Sequence, residues 1–310
     1  MNFVTFNILN RIIVSNLYKL PHDIDIVAGV PRSGLLAANI IACYLNKPLT
    51  DIDNILAGKL YEAGFTKNKS DWIRDISEAK KILIVEYSVA SGHSLLTAKD
   101  KLKSLNIEQI YLSIIVAPES QNIPDIFFAI VPFPRIFEWN YMHHTFLRLS
   151  CVDLDGVLCE DPTAEQNDDG DNYRNFCLNA IPKLIPSQPI GCIVTARLQK
   201  YSFETQQWLN KYKIRYDNLI MLNLNSAEER RRLNIHSDYK AQVYQHFNNA
   251  ILFIESSFEQ AKNIAKLSNK DVFCVENSAF IPGGDFTYNY FLQKKFLFSL
   301  ILIIYVIKNL

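Results

Sequence analysis

Short apolar runs alternate with helix-period segments through the first half of the chain. Ile24 to Val30, Ile82 to Val85 and Ile110 to Val116 read as strands, while Gly34 to Leu45 and Leu95 to Leu105 carry helical spacing. Alternation of this kind predicts βαβ units and a parallel sheet. The polar segment from Asp53 to Asp75, with Gly58, Lys59, Gly64, Lys67 and Lys69, reads as a mobile loop over a site. Pro124, Pro132 and Pro134 then end the regular alternation. A second α/β pattern follows. Leu149 to Leu154, Gly191 to Thr195, Leu219 to Leu222 and Ala250 to Glu255 read as strands, and Phe203 to Tyr212, Lys240 to Phe247 and Phe258 to Leu267 as helices. The expected fold class is α/β, with two parallel-sheet domains over 1–147 and 148–288, joined near His144 to Arg148, and a short apolar helix in the tail 289–310.

Composition narrows the function classes. A chain of 310 residues, 49% hydrophobic and 21% charged, can bury two ordinary cores. Its formal net charge of zero gives no reason to expect a nucleic-acid partner, so an anionic ligand must be met by local charges. The six cysteines form no CxxC pair, and most sit in apolar runs, which suits buried free thiols in a reducing cytoplasm. Asn7, Asn10 and Arg11 interrupt the apolar residues of the N-terminus, so it is not expected to be a signal peptide. Phe296 to Ile307 is almost wholly apolar and follows Lys294-Lys295. It is shorter than the roughly 20 residues a bilayer span needs. It is open to three readings: packing on its own domain, packing on a second subunit of a homo-oligomer, or lying on an anionic membrane surface. The expected location is cytoplasmic, with the inner face of the membrane left open.

Two turns in the first half suit a phosphate. Val85-Glu86-Tyr87-Ser88-Val89-Ala90-Ser91-Gly92-His93-Ser94 runs from a buried strand through small residues toward a helix. Backbone N–H groups from Ser91 to Ser94 can face an anion at that helix start, although a turn that merely caps the helix through Ser91 reads the same way. Ala28-Gly29-Val30-Pro31-Arg32-Ser33-Gly34 is not a P-loop, because Leu35 stands where the lysine belongs. Gly29 and Gly34 permit close backbone approach, and Arg32 supplies a fixed cation. Together these turns resemble the type I phosphoribosyltransferase family over about residues 20–140. The resemblance implies that Ser88, Ala90, Ser91, Gly92, His93 and Ser94 hold the 5-phosphate of phosphoribosyl pyrophosphate (PRPP). It further implies that Arg32, Ser33 and Gly34 hold the pyrophosphate with Mg²⁺, and that Ala57 to Trp72 is the lid. Glu86 matches the first of the family's two sugar-binding acids, and Tyr87 replaces the second.

In the second half, Cys151-Val152-Asp153-Leu154-Asp155-Gly156-Val157 ends an apolar strand with acids at i and i+2, which point the same way. Burying both is costly unless a cation compensates, and Mg²⁺ takes oxygen ligands of this kind. The stretch resembles motif I of the haloacid dehalogenase-like (HAD) phosphatases over about 149–285, with Val194-Thr195-Ala196-Arg197 and Leu252-Phe253-Ile254-Glu255-Ser256 following in order. The resemblance implies that Asp153 attacks phosphorus, Asp155 moves protons, Thr195 hydrogen-bonds the phosphoryl group and Lys240 neutralises charge. Asp153, the Asp155 carbonyl and Glu255 would hold Mg²⁺. Lys262 and Arg230 to Arg232 rival Lys240 for its role, and Ser256 replaces the usual second acid. Glu160 to Pro182, rich in Asp and Asn, reads as a solvated loop too short to be a cap domain, which leaves the site open to a large substrate.

Between the two patterns, Trp139, Tyr141 and His143 are candidates for gripping an acceptor, or form a packing strip. The whole chain resembles phosphoribosyltransferase–HAD fusions of bacterial surface-glycan assembly. That implies transfer of 5-phosphoribosyl from PRPP to a glycan sugar, with inversion at C1, then removal of the 5-phosphate. Two other readings stay open: a base phosphoribosyltransferase fused to a nucleotidase, and a PRPP or nucleotide sensor gating a phosphatase.

Overall fold

The computed structural model describes residues 1–62 and 72–284. It divides into two compact units, one of Asn2 and Val4–Arg135, the other of Met1, Phe3 and the residues from Ile136 onward. The strands in chain order are β1 (Asn2–Val4), β2 (Ile26–Gly29), β3 (Leu49–Asp51), β4 (Lys81–Val89), β5 (Glu108–Val116), β6 (Ile126–Ile130), β7 (Arg135–Phe137), β8 (Ser150–Val152), β9 (Ile190–Leu198), β10 (Tyr216–Leu222), β11 (Leu252–Glu255), β12 (Val272–Cys274) and β13 (Ala279–Ile281). The α-helices are α1 (Phe6–Asn16), α2 (Ser33–Leu45), α3 (Ile52–Leu56), α4 (His93–Leu102), α5 (Asp171–Asn179), α6 (Ser202–Lys211), α7 (Ala227–Leu233), α8 (His236–His246) and α9 (Phe258–Ser268).

The first unit holds a five-stranded sheet in the order β3-β2-β4-β5-β6, parallel throughout. Its central strands are continuous apolar runs, as expected for strands covered on both faces, and Ile26, Ile82, Ile84 and Val116 pack into one core with Leu95 and Ala98 of α4. Three features differ from the pattern-based expectation. β4 runs four residues past Val85, because Glu86, Ser88 and Val89 keep their ladder partners Ser113, Ile115 and Val116. Helix α4 starts at His93 rather than near Leu95. The proline-rich stretch does not end the sheet: Leu112 pairs with Ile126, so β6 adds an edge strand between prolines, where a missing N–H is tolerated.

The second unit holds a six-stranded sheet in the order β10-β9-β8-β11-β12-β13. All neighbours are parallel except β12 and β13. The order reverses at β8 and β11, and such switch points open a crevice beyond the carboxyl ends of the strands. Trp208, Phe176, Tyr201 and Leu209 fill the core on one side of this sheet, and Tyr244, Phe253 and Ile264 fill a second core.

The acidic insertion is not merely a solvated loop. It contains α5, because Tyr173, Phe176 and Cys177 fall at i, i+3 and i+4 and bury one face. Its acids have structural partners: Asp169 accepts from the backbone N–H of Ala227 at 2.9 Å and the Tyr201 hydroxyl at 2.8 Å. β9 continues to Leu198, so Thr195 lies inside a strand rather than at its end. α8 begins at His236, which puts Lys240 in its second turn rather than at its start. The expected apolar helix in 289–310, with Phe296 to Ile307, lies outside the described residues, as do Gly64, Lys67 and Lys69 of the expected lid. Among the described residues no helix is long and apolar enough to cross a membrane.

Candidate functional site

The first unit gathers its candidate residues at the carboxyl ends of β2 and β4. Val30 donates its N–H to the Val85 carbonyl at 2.9 Å, which lays the turn after β2 across β4. The turn, whose Pro31–Arg32 peptide is cis, leads into α2 at Ser33. Gly34 is pressed so close that a Cβ there would stand 2.5 Å from the Val85 carbonyl oxygen and 3.2 Å from the Glu86 Cα. Gly34→Ala therefore forces backbone apart. It is expected to lower unfolding stability by about 1–3 kcal/mol in urea titration.

At the end of β4, Ala90, Ser91, His93 and Ser94 are exposed around Gly92, which caps α4 in the left-handed region at φ 78°. The first N–H groups of any helix lack an i−4 carbonyl partner, so this exposed turn faces solvent with donors an anion can use. The Ser91 hydroxyl lies 3.5 Å from the His93 N–H. The turn is held from below: the buried Arg135 donates to the Val89 carbonyl at 2.9 Å, and the Ser120 hydroxyl donates to the Ala90 carbonyl. Ser88 lies within β4, while Arg32 is exposed and Ser33 half-buried.

Glu86 is 7% exposed and accepts the Tyr87 N–H at 2.8 Å. Burial pushes its carboxyl up to about 7, against the Tyr87 and Ser88 N–H groups, which pull it down. Strand alternation turns Tyr87 to the opposite face, where it is 1% exposed. Tyr87 thus fills core, while Glu86 lies opposite Ser113 of β5.

A pH dependence follows. Between the ordinary value of 4.5 and about 7, the folded chain retains a Glu86 proton that the unfolded chain has released. The unfolded state binds fewer protons there, so stability falls as pH rises across that window, by on the order of 3 kcal/mol. Glu86→Gln is expected to lack this component in urea titrations at pH 5 and pH 8.

In the second unit the candidates converge at the ends of β8, β9 and β11. Lys240 Nζ lies 2.8 Å from Asp153 Oδ2 and 2.8 Å from Glu255 Oε2, and 3.1 Å from Gln260 Oε1. Asp153, Lys240 and Glu255 are all nearly or wholly buried. Burial opposes the Lys240 ammonium, but Asp153 and Glu255 together hold its pKa above the ordinary lysine value. Burial also holds the Asp153 carboxyl well above the ordinary aspartate range; Lys240 opposes this, and the Glu255 and Asp155 carboxylates add to it. The rivals are placed elsewhere. Arg230 donates to the Ala196 carbonyl at 2.8 Å, and Lys262 pairs with Glu259 at 2.6 Å.

Gly156, at φ 78°, turns the chain so tightly that a Cβ would meet the Ser256 side chain at 2.5 Å and Asp161 Oδ2 at 2.9 Å. The Ser256 hydroxyl sits 3.3 Å from both the Asp155 carbonyl and Glu255 Oε1. The Asp155 carboxylate does not join the Lys240 cluster; it is gripped by Arg197, at 2.6 Å from Nη2 and 3.0 Å from Nε. Thr195 is buried on β9, its hydroxyl accepting the Arg197 N–H at 3.2 Å. Gln260 and Arg197 are the residues that the sequence reading passed over as participants. A lone arginine in the apolar run Ile193 to Leu198 was the available signal for the second.

Among the described residues no three His, Cys, Asp or Glu side chains are grouped to hold a metal ion. A divalent ion bound by one or two carboxylates, a carbonyl and waters does not need three. The donor set fits such an ion: Asp153 and Glu255 share one ammonium, and Asp161 at the rim is raised by burial and by Asp155. Two acids thus share one ammonium, and a divalent cation bound beside them would favour the ionised form of both.

The remaining candidates, Trp139, Tyr141 and His143, belong to the second unit. Tyr141 is 8% exposed and packs edge-on to Phe273 at 4.9 Å, as a core ring. Trp139 stacks on Phe137 at 5.9 Å, and His143 Nδ1 meets the Ser187 hydroxyl at 3.0 Å.

Residues 6–147 match the family model of the phosphoribosyl transferase domain, so the first part of the chain carries that domain. The chain is similar to the crystal structure of a purine phosphoribosyltransferase from Pyrococcus horikoshii, at 18% identity over 44% of this chain and 92% of that one, with a TM-score of 0.34. It is also similar to a xanthine-guanine-hypoxanthine phosphoribosyltransferase of Helicobacter pylori, at 15% identity over 45% of this chain and 91% of that one, with a TM-score of 0.32. An orotate phosphoribosyltransferase from Aeropyrum pernix matches at 15% identity over 40% of this chain and 70% of that one, with a TM-score of 0.29. No curated protein matches the chain.

Proposed function

We propose that the chain transfers 5-phosphoribosyl from PRPP to an acceptor hydroxyl and then removes the 5-phosphate, leaving a ribofuranosyl group. The observation that carries this reading is the buried Asp153–Lys240–Glu255 cluster at a switch point of a parallel sheet, in the same chain as a phosphoribosyl transferase domain. In the transfer step Arg32, Ser33 and Gly34 hold the departing pyrophosphate, the turn Ala90 to Ser94 holds the 5-phosphate, and Glu86 orients the ribose. Charge develops on the leaving pyrophosphate, so a guanidinium and backbone donors fixed beforehand favour the transition state over the ground state.

In the hydrolytic step Asp153 attacks phosphorus and an aspartyl-phosphate forms; Asp155 carries the proton to the leaving oxygen, then takes one from water. Lys240 holds Asp153 in place, and Thr195 lies on the adjoining strand. A magnesium ion, when bound through Asp153, the Asp155 carbonyl and Glu255, supplies positive charge to the phosphoryl oxygens.

A surface-glycan sugar as acceptor rests on the resemblance to fusion proteins of that kind, and on a site without a large cap. The test is acceptor-dependent release of pyrophosphate from PRPP with Mg²⁺, offered sugar acceptors in one set and nucleobases in another. Release with sugars alone supports the reading. Nucleotide formation with bases overturns the acceptor class, and PRPP binding without consumption overturns transfer itself.

A further inference from the structure

We infer that Arg197 is the positioning residue that aims the Asp155 carboxylate, which rests on the phosphatase reading above. Arg197 is fully buried and meets Asp155 with two nitrogens: Nη2 lies 2.6 Å from Oδ1, and Nε lies 3.0 Å from Oδ1 and 3.1 Å from Oδ2. The guanidinium is itself fixed from three other directions. Nη1 lies 3.3 Å from the Thr205 hydroxyl, Nη2 lies 3.4 Å from Cys159 Sγ, and the Phe176 ring centroid stands 5.2 Å from Cζ. A planar fork against a carboxylate sets the direction of the carboxylate as well as its place, which a lysine point charge does not.

The local chain arrangement makes this coupling specific to the site. Arg197 follows Thr195 on β9 and shares its hydroxyl through a backbone N–H, while Asp155 follows Asp153 beyond β8. β8 and β9 are paired neighbours, so one arginine ties the second acid of one strand end to the hydroxyl of the next. Asp153 is turned the other way, onto Lys240. The two acids at i and i+2 are thereby separated into two roles by two different cations.

The step that depends most on this aim is the second half of hydrolysis. Water oxygen attacks phosphorus of the Asp153 phosphoryl group, one water proton passes to the Asp155 carboxylate, and the P–O bond to Asp153 breaks with its electron pair returning to Asp153. A nitrophenolate leaving group is a weak base and departs with little help. With 4-nitrophenyl phosphate as substrate, loss of aim therefore slows breakdown of the aspartyl-phosphate more than its formation.

The experiment is rapid-mixing kinetics of the full chain with Mg²⁺ and 4-nitrophenyl phosphate, comparing wild type, Arg197→Lys and Arg197→Gln. Wild type is expected to release nitrophenolate linearly. Arg197→Lys, which keeps the buried cation, is expected to show a burst of about one nitrophenolate per chain and then turnover reduced by about 10² or more. Added guanidinium is expected to restore part of the turnover in Arg197→Gln. If Arg197→Lys releases nitrophenolate linearly at a reduced rate with no burst, or turns over as fast as wild type, the inference is overturned. If the wild type hydrolyses no phosphate monoester at all, the phosphatase reading fails instead, and Arg197 is left a structural residue.

Discussion

Lys240→Met is expected to abolish phosphate release and to lower the stability of the second unit by about 3–5 kcal/mol, the range for removing one partner of a buried ion pair. Lys240 Nζ sits between Asp153 Oδ2 and Glu255 Oε2, at 2.8 Å from each, with both carboxylates cut off from water. Without the ammonium, two buried acids face each other with no counter-charge, and one must take up a proton or the site must open. The loss is asymmetric, because methionine fills the volume but leaves the charge. A second substitution that removes the surplus, Lys240→Met with Glu255→Gln, is expected to recover part of the stability and none of the activity. Urea unfolding followed by tryptophan fluorescence measures the first quantity; Trp208 is fully buried in this unit's core. Equal stability of Lys240→Met and wild type contradicts the arrangement.

The parallel architecture of both units was legible because buried strands leave continuous apolar runs, and Ile82 to Val85 and Leu252 to Ile254 are of that kind. Boundaries were harder. β4 continues through Glu86, Tyr87 and Ser88, where polarity suggests a turn, because the ladder with β5 outlasts the apolar run. β3 and β6 were missed, the first because three residues carry too little pattern, the second because flanking prolines mark edge strands as readily as loops. Helix α5 was hidden by composition: its three buried residues are outnumbered by polar ones on the outer face.

The sites show the same division. Asp153, Lys240 and Glu255 were named from the motif order that the resemblance implied, and tertiary packing sets the Lys240 ammonium against both carboxylates. Arg197 could not be assigned, since nothing in the spacing says that a buried cation on β9 closes on Asp155 rather than on the phosphate. Tyr87, which stands where the family has its second acid, is 1% exposed, and period-2 alternation along β4 turns it to the face opposite Glu86.

Asp153→Asn carries the other large effect. It removes the nucleophile of the proposed hydrolytic step, so phosphate release is expected to fall by about 10³ or more. The fold is expected to survive. Burial already disfavours the Asp153 carboxylate, and with asparagine in place Lys240 keeps Glu255 at 2.8 Å and Gln260 at 3.1 Å. The urea midpoint of Asp153→Asn is therefore expected not to fall below that of wild type, in contrast to Lys240→Met. That contrast separates loss of chemistry from loss of structure.

The account stands most directly on the products of these two proteins from the same mixture. Wild type and Asp153→Asn are each incubated with PRPP, Mg²⁺ and a sugar acceptor that supports pyrophosphate release, and the products are compared by mass. The account predicts a ribosylated acceptor from wild type and, from Asp153→Asn, the same acceptor heavier by one phosphate. Identical products from the two proteins would contradict it.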